Sequence, residues 1–189
     1  MAAPVLVADA CVLYPALLRD LLMHLCLKGL IQLRWSDAIH DEWTRSLIAN
    51  RPDLDPDRIE RTRTLMARAL PAARVYGHEG LVDTLVLPDP DDRHVLAVAI
   101  HCGSEVIVTF NLSDFPDVAL LPYRVEALHP DDLISELVAS DAVTFVSAVR
   151  ELRAALLNPA HTPDDMIDAL RRAGLPKSAS ALAAMKELI

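Results

Sequence analysis

The chain has 189 residues, 52% of them hydrophobic, with 27 acidic against 18 basic side chains and a formal net charge of -9. At this length one main core with an appendage is expected, burying about 70% of the surface the unfolded chain exposes. Only five glycines exclude a collagen-like polymer, the hydrophobic content excludes a disordered one, and the net charge argues against a general polyanion binder.

Residues 2–18 are apolar but lack a basic start and are interrupted by Asp9 and Pro15, so they read as core rather than as a signal peptide. Arg19, Asp20, His24 and Lys28 break the richest apolar window before it reaches the ~20 residues of a membrane span. Cys11, Cys26 and Cys102 are odd in number and widely spaced, which reads as a reducing compartment and buried thiols. A soluble, cytoplasmic protein is expected.

In chain order, Val5-Leu6-Val7-Ala8 predicts a short strand ending at Asp9. Leu17, Leu18, Leu21, Leu22, Leu25 and Cys26 then repeat at helical spacing up to Gly29. Ile31, Leu33 and Trp35 alternate as in a half-buried strand. Ser36 suits the cap of a helix carrying Ile39, Trp43 and Leu47, with Glu42 in its first two turns. After the Pro/Asp-rich break at 51–56, Ile59, Met66 and Leu70 mark one face of a third helix, and Arg58, Arg61 and Arg68 fall together on another. Seven arginines lie between Arg45 and Arg74 against four acids, a candidate contact for phosphates or a solvated face.

Residues 87–92 form a turn with Asp89 as its cap, placing Asp91 and Asp92 at the start of an apolar helix over 93–102 that Gly103 stops. A buried-type strand at 106–109 and a loop at 110–116 follow. Strands alternating with helices predict an α/β fold, its mainly parallel sheet covered by helices on both faces. From Pro130 onward strand signals stop, and helices are expected over 131–139, 141–157, 164–173 and 178–189. The boundary near residue 129 divides an α/β core, 1–129, from a helical C-terminal extension, 130–189. The apolar face of Phe145, Val149, Leu152 and Leu156 is expected to bury against that core or a second protomer.

Ligands of open parallel sheets bind outside the carboxyl ends of the strands, where Asp9 stands and where the Asp92 helix and the loop after Thr109 arrive. Asp9, Glu42, Asp92 and Asp114 come from four segments, and no basic residue flanks the first strand to neutralise them. Two carboxylates ~5 Å apart repel by about 3 kcal/mol at an effective dielectric of 20, so convergence calls for a cation. Oxygen ligands favour Mg²⁺ or Mn²⁺. Taken singly, each acid is equally a helix cap or an ion-pair partner.

Four ordered motifs sharpen this reading: Val-Leu-Val-Ala-Asp9-Ala-Cys, Ser36-Asp-Ala-Ile-His-Asp-Glu42-Trp, Pro88-Asp-Pro-Asp-Asp92-Arg-His-Val-Leu-Ala-Val-Ala, and Val108-Thr-Phe-Asn111-Leu-Ser-Asp114-Phe. Together, over residues 4–128, the chain resembles the PIN-domain family. The resemblance implies a nuclease that uses one or two divalent ions to hydrolyse RNA. Asp9, Glu42 and Asp92 would be the principal ligands and Asp114 a fourth acid, with Thr109 and Asn111 shaping the pocket and Asp91 a rival or helper of Asp92. Many PIN domains carry Asp where this chain has Asn111, and the neutral amide lowers the negative charge available to a second metal. The compact core also resembles the VapC-type toxin ribonucleases, which implies an antitoxin partner and a homodimer. Arg45, Arg58, Arg61 and Arg68 would hold the RNA backbone.

Two alternatives remain, and a weaker signal at His40-Asp41 is set aside. A catalytically inactive PIN-like scaffold binding RNA or a protein partner is favoured by Asn111. A phosphatase of the haloacid-dehalogenase type wants an acid where Cys11 stands. His40-Asp41 is similar to a metal-binding dipeptide of phosphohydrolases, but the further histidines are missing, so a solvated helix face is expected there. His94 and His101 read as surface or core residues. No G-x-S-x-G, Walker loop or dinucleotide glycine motif is present.

Overall fold

The computed structural model describes residues 3–157 and 160–189, so the apolar stretch expected from residue 2 begins just outside the described part. Strand β1, Val5–Ala8, is almost wholly buried and runs into a single helical turn, α1, Ala10–Leu13. Pro15, extended at ψ 117°, separates this turn from α2, Ala16–Leu27. Helix α2 is the one the leucine spacing predicts, and the turn α1 before it was not read from the sequence. Strand β2, Gln32–Arg34, leads through Ser36 into α3, Asp37–Asn50, whose Ile39 N–H donates to the Ser36 hydroxyl at 3.3 Å. Helix α4, Pro56–Ala69, opens with Asp55 accepting from the Asp57 N–H and proline at its first position.

A short helix, α5, Glu79–Val82, precedes the turn at Pro90–Asp92, where Asp89 accepts from the Asp91 N–H as expected. Helix α6, Arg93–Cys102, follows and ends at Gly103, whose φ of 68° is one that a residue with a Cβ rarely adopts. Strand β3, Val106–Val108, helix α7, Asp117–Leu120, and strand β4, Glu126–Leu128, complete the sheet. Neither α5, α7 nor β4 shows in the sequence. Four residues are too few for a helical period, and β4 is a three-residue edge strand without a fully buried side chain.

All four strands are parallel, in the order β2-β1-β3-β4, with Leu6 opposite Leu33 and Val7 opposite Ile107. The chain moves from β1 outward to β2, then returns past β1 to β3. Right-handed crossovers therefore leave the adjacent strands β1 and β3 toward opposite faces, which opens a crevice at their carboxyl ends. Helix α6 packs on β1, β2 and β3. The free edge of β2 is continued by the Ala73–Val75 backbone, which brackets Trp35 with hydrogen bonds of 2.9 and 2.8 Å and so blunts that edge.

Four further helices follow: α8, Pro130–Ser140, α9, Ala142–Ala155, α10, Pro163–Arg172, and α11, Pro176–Ala183. Their starts agree with the sequence expectation to within two residues. Helix α9 lies along α2, with Phe145, Val149 and Leu152 buried, so the apolar face expected there is buried within the chain. Each such side chain contributes about 1.5–3 kcal/mol. The Lys28–Glu151 pair at the rim of the same contact contributes at most about 1 kcal/mol, so burial decides the docking.

Candidate metal-binding and catalytic site

Asp9 stands at the carboxyl end of β1 and is 3% exposed. Its Oδ1 accepts from the Ala10 N–H at 2.6 Å, while Oδ2 accepts from Cys11 Sγ at 3.0 Å and Thr109 Oγ1 at 2.7 Å. Burial raises the Asp9 carboxyl above its ordinary range, and the Glu42 charge adds to it, while the Cys11, Thr109 and Ala10 bonds pull the other way. Burial and the neighbouring Asp9 push the Cys11 thiol up to about 12, so Cys11 remains a thiol that donates to Asp9. The thiol was expected to be inert packing. It is instead half-buried and also accepts from the Phe110 N–H at 3.3 Å.

Asp92 stands at the N-terminal end of α6 without a capping side-chain hydrogen bond, and it is half-buried. Burial first, then the charges of Asp9, Asp114, Asp89 and Glu42, push its carboxyl up to about 7. All four acids singled out in the sequence therefore lie within one electrostatic neighbourhood. Among the described residues none of Asp9, Glu42, Asp92 and Asp114 is paired with an arginine or lysine. Among those residues, too, no group of three or more His, Cys, Asp or Glu side chains is close enough together to hold a metal ion as it stands. The donor set consists of carboxylate oxygens with an unneutralised potential, which fits a hard divalent cation.

The remaining candidates are distributed as follows. Thr109 is fully buried, and its hydroxyl donates to Asp9 while accepting from the Asn111 N–H at 2.9 Å. Asn111 itself is exposed, and Asp114 is half-buried on the turn Leu112–Asp114. Asp91 is exposed, its N–H bonded to Asp89. Arg45, Arg58, Arg61 and Arg68 are all exposed. Arg45 borders a hollow with Asp41 and Ile48, Arg58 borders a groove with Tyr14 and Trp43, and Arg68 borders another with Trp35 and Asp37.

His94, read from the sequence as a surface or core residue, has its Nε2 3.2 Å from Glu42 Oε2, and its Nδ1 is buried without a hydrogen-bond partner. These two residues are 52 apart, so no periodicity announces the contact. The expected solvated face at His40-Asp41 is corrected. His40 is buried, its Nδ1 accepts from the Trp43 indole at 2.8 Å, and burial pushes its imidazole down to about 4. Asp41 is exposed and pairs with Arg63 at 2.8 Å.

The buried Asp9 carboxylate at the carboxyl edge of the parallel sheet feels the charge of Glu42, and Asp92 those of Asp9, Asp114 and Glu42, which makes this edge of an α/β fold an acidic site. Residues 5–113, more than half of the chain, match the PIN domain, and the chain belongs to that family. Residues 130–184 match the VapC50 C-terminal domain. Over 79 residues the chain is 43% identical to VapC50 of Mycobacterium tuberculosis, a protein named as a candidate ribonuclease. That stretch covers 42% of this chain and 47% of the relative, so the match spans about half of the relative's length. No solved structure matches the chain.

Proposed function

We propose that the protein is a Mg²⁺- or Mn²⁺-dependent endoribonuclease that hydrolyses RNA phosphodiester bonds, and the toxin of a VapBC-like pair. One observation carries this reading: at Asp92, half-buried at the start of α6, partial burial together with the charges of Asp9, Asp114, Asp89 and Glu42 pushes the carboxyl up to about 7, and among the described residues it pairs with no arginine or lysine. Such a potential repels phosphate unless a cation intervenes. The likeness to VapC50 supports the ribonuclease assignment.

In this reading Asp9, Glu42, Asp92 and Asp114 hold the ion. When bound, it supplies a Lewis acid for the phosphoryl oxygen and lowers the pKa of a coordinated water. Asp9 is the fixed member, because the Ala10 N–H, Cys11 and Thr109 orient both its oxygens. The proton of the attacking water passes to a carboxylate of this set. Thr109, Asn111 and Asp91 shape the pocket. Arg45, Arg58, Arg61 and Arg68 contact RNA phosphates without reading sequence. We assign residues 1–129 to the nuclease and 130–189 to its helical extension. A cognate antitoxin, a homodimer and a cytoplasmic location complete the proposal. No helix among the described residues is long and apolar enough to cross a membrane.

A second reading, an inactive scaffold, is favoured by Glu42 being already engaged by His94 and by the neutral Asn111. Cleavage of labelled RNA with Mn²⁺ or Mg²⁺, lost in Asp9→Asn and Asp92→Asn, supports the nuclease. Binding of RNA without cleavage favours the scaffold, and equal turnover of a small phosphoester favours a phosphatase.

A further inference from the structure

Phe110 sits between the two residues that tie the loop after β3 to Asp9. Its own N–H donates to Cys11 Sγ, Thr109 before it donates to Asp9, and the Asn111 N–H behind it donates back to Thr109. Its ring points away from these bonds and into the C-terminal helices. It meets the His129 ring edge-on, with centroids 5.1 Å apart at 79°. On another side it lies against the backbone of Gly174, where an added Cβ would stand 3.5 Å from Phe110 Cε1. Gly174 follows α10 at φ 80°, a conformation that favours glycine.

The two contact points belong to one braced unit. His129 caps α8 and accepts from the Asp131 N–H at 3.1 Å. The Asp131 carboxylate in turn accepts from the N–H groups of Lys177 and Ser178, both at 2.8 Å, at the start of α11. Gly174 lies in the short link between α10 and α11. The ring thus links the segment Thr109–Asn111 to both points.

We propose that the C-terminal helices position the metal-binding edge of the sheet, and that Phe110 is the positioning residue through which they do so. The contacts of the Phe110 ring are to His129 and Gly174, so its role is positioning. It fixes the loop that holds Asp9 through Thr109 and presents Asp114. The inference rests on the nuclease reading for its catalytic consequence, but its structural content is independent of it.

The test uses the full chain with Phe110→Ala, Phe110→Leu and, as a control, Val149→Ala, which loosens α9 against α2 without touching Phe110. Two quantities are read: hydrogen exchange of the amides from Asn111 to Phe115, and cleavage of RNA with Mn²⁺. Phe110→Ala is expected to speed exchange at the Asn111 amide about tenfold and to lower kcat by about tenfold or more with KM nearly unchanged, since small displacements of catalytic groups carry losses of that order. Phe110→Leu should restore most of both, and Val149→Ala should change neither beyond its effect on Tm. Wild-type exchange in Phe110→Ala overturns the proposal, as does an equal loss in Val149→Ala. Should the wild-type protein cleave no RNA, the nuclease reading fails, while the exchange measurement still decides whether Phe110 couples the helices to the loop.

Discussion

Thr109 Oγ1 lies 2.7 Å from Asp9 Oδ2, a hydrogen bond between residues 100 apart in the chain. It joins the carboxyl ends of the two strands between which the crevice opens. Replacing Thr109 with valine keeps the shape but removes the donor to Asp9 and the acceptor for the Asn111 N–H. Leaving the buried Asp9 carboxylate one donor short is expected to lower stability by about 1–3 kcal/mol. Thr109→Ser should retain most of that stability. Thermal unfolding of the two variants checks the difference, and RNA cleavage should fall in the valine variant and survive in the serine variant.

Asp92 gives a prediction of opposite sign for stability and activity. Its carboxylate sits among negative charges with no basic partner among the described residues, so the metal-free protein carries repulsion there. Asp92→Asn should raise the Tm of metal-free protein at pH 8 while abolishing cleavage, the trade expected where a site is electrostatically strained. Adding Mn²⁺ should raise the Tm of the wild type and leave the variant almost unmoved. A variant less stable than wild type would argue that Asp92 is a structural cap.

His94 reaches Glu42 from the turn of α6 that follows Asp92. An imidazole that orients a carboxylate can be replaced in part by another donor of similar reach. His94→Gln is therefore expected to keep a larger share of activity than His94→Ala, with the alanine variant also needing more Mn²⁺ for half-maximal cleavage. Titration of the Mn²⁺ requirement in both variants checks it; equal behaviour would show that the contact has no bearing on the site.

Asp131 makes the docking of the C-terminal helices sensitive to acid. Burial by itself would raise its carboxyl, but the donors of Ser178 and Lys177 outweigh that and hold it below its ordinary value. A depressed carboxyl stabilises the fold above the ordinary carboxylate range and loses that contribution as pH falls through the depressed value. Stability should thus drop below about pH 4 more steeply in wild type than in Asp131→Asn. At neutral pH Asp131→Ala is expected to lose roughly 2–3 kcal/mol, because buried donors lose their acceptor. Denaturant unfolding at pH 3, 4 and 7 reads both effects.

Where a residue's role depends on its near neighbours in the chain, the amino-acid order was sufficient. Alternating and helical spacing placed β1, α3, α6, α8 and α10, Ser36 and Asp89 appeared as caps, and Gly103 as a stop, because a period, a cap or a positive φ acts over a few residues. Asp9 at the end of β1 and Asp92 at the start of α6 were visible as candidates for the same reason, while Glu42 within α3 and Asp114 at the end of its turn stood out through their motifs. What folding alone settled lies between distant segments. The bond from Thr109 to Asp9, the grip of His94 on Glu42, and the seat of Phe110 between His129 and Gly174 all join segments that no local pattern relates. Such contacts depend on which face each element turns inward, and packing of the whole chain decides that.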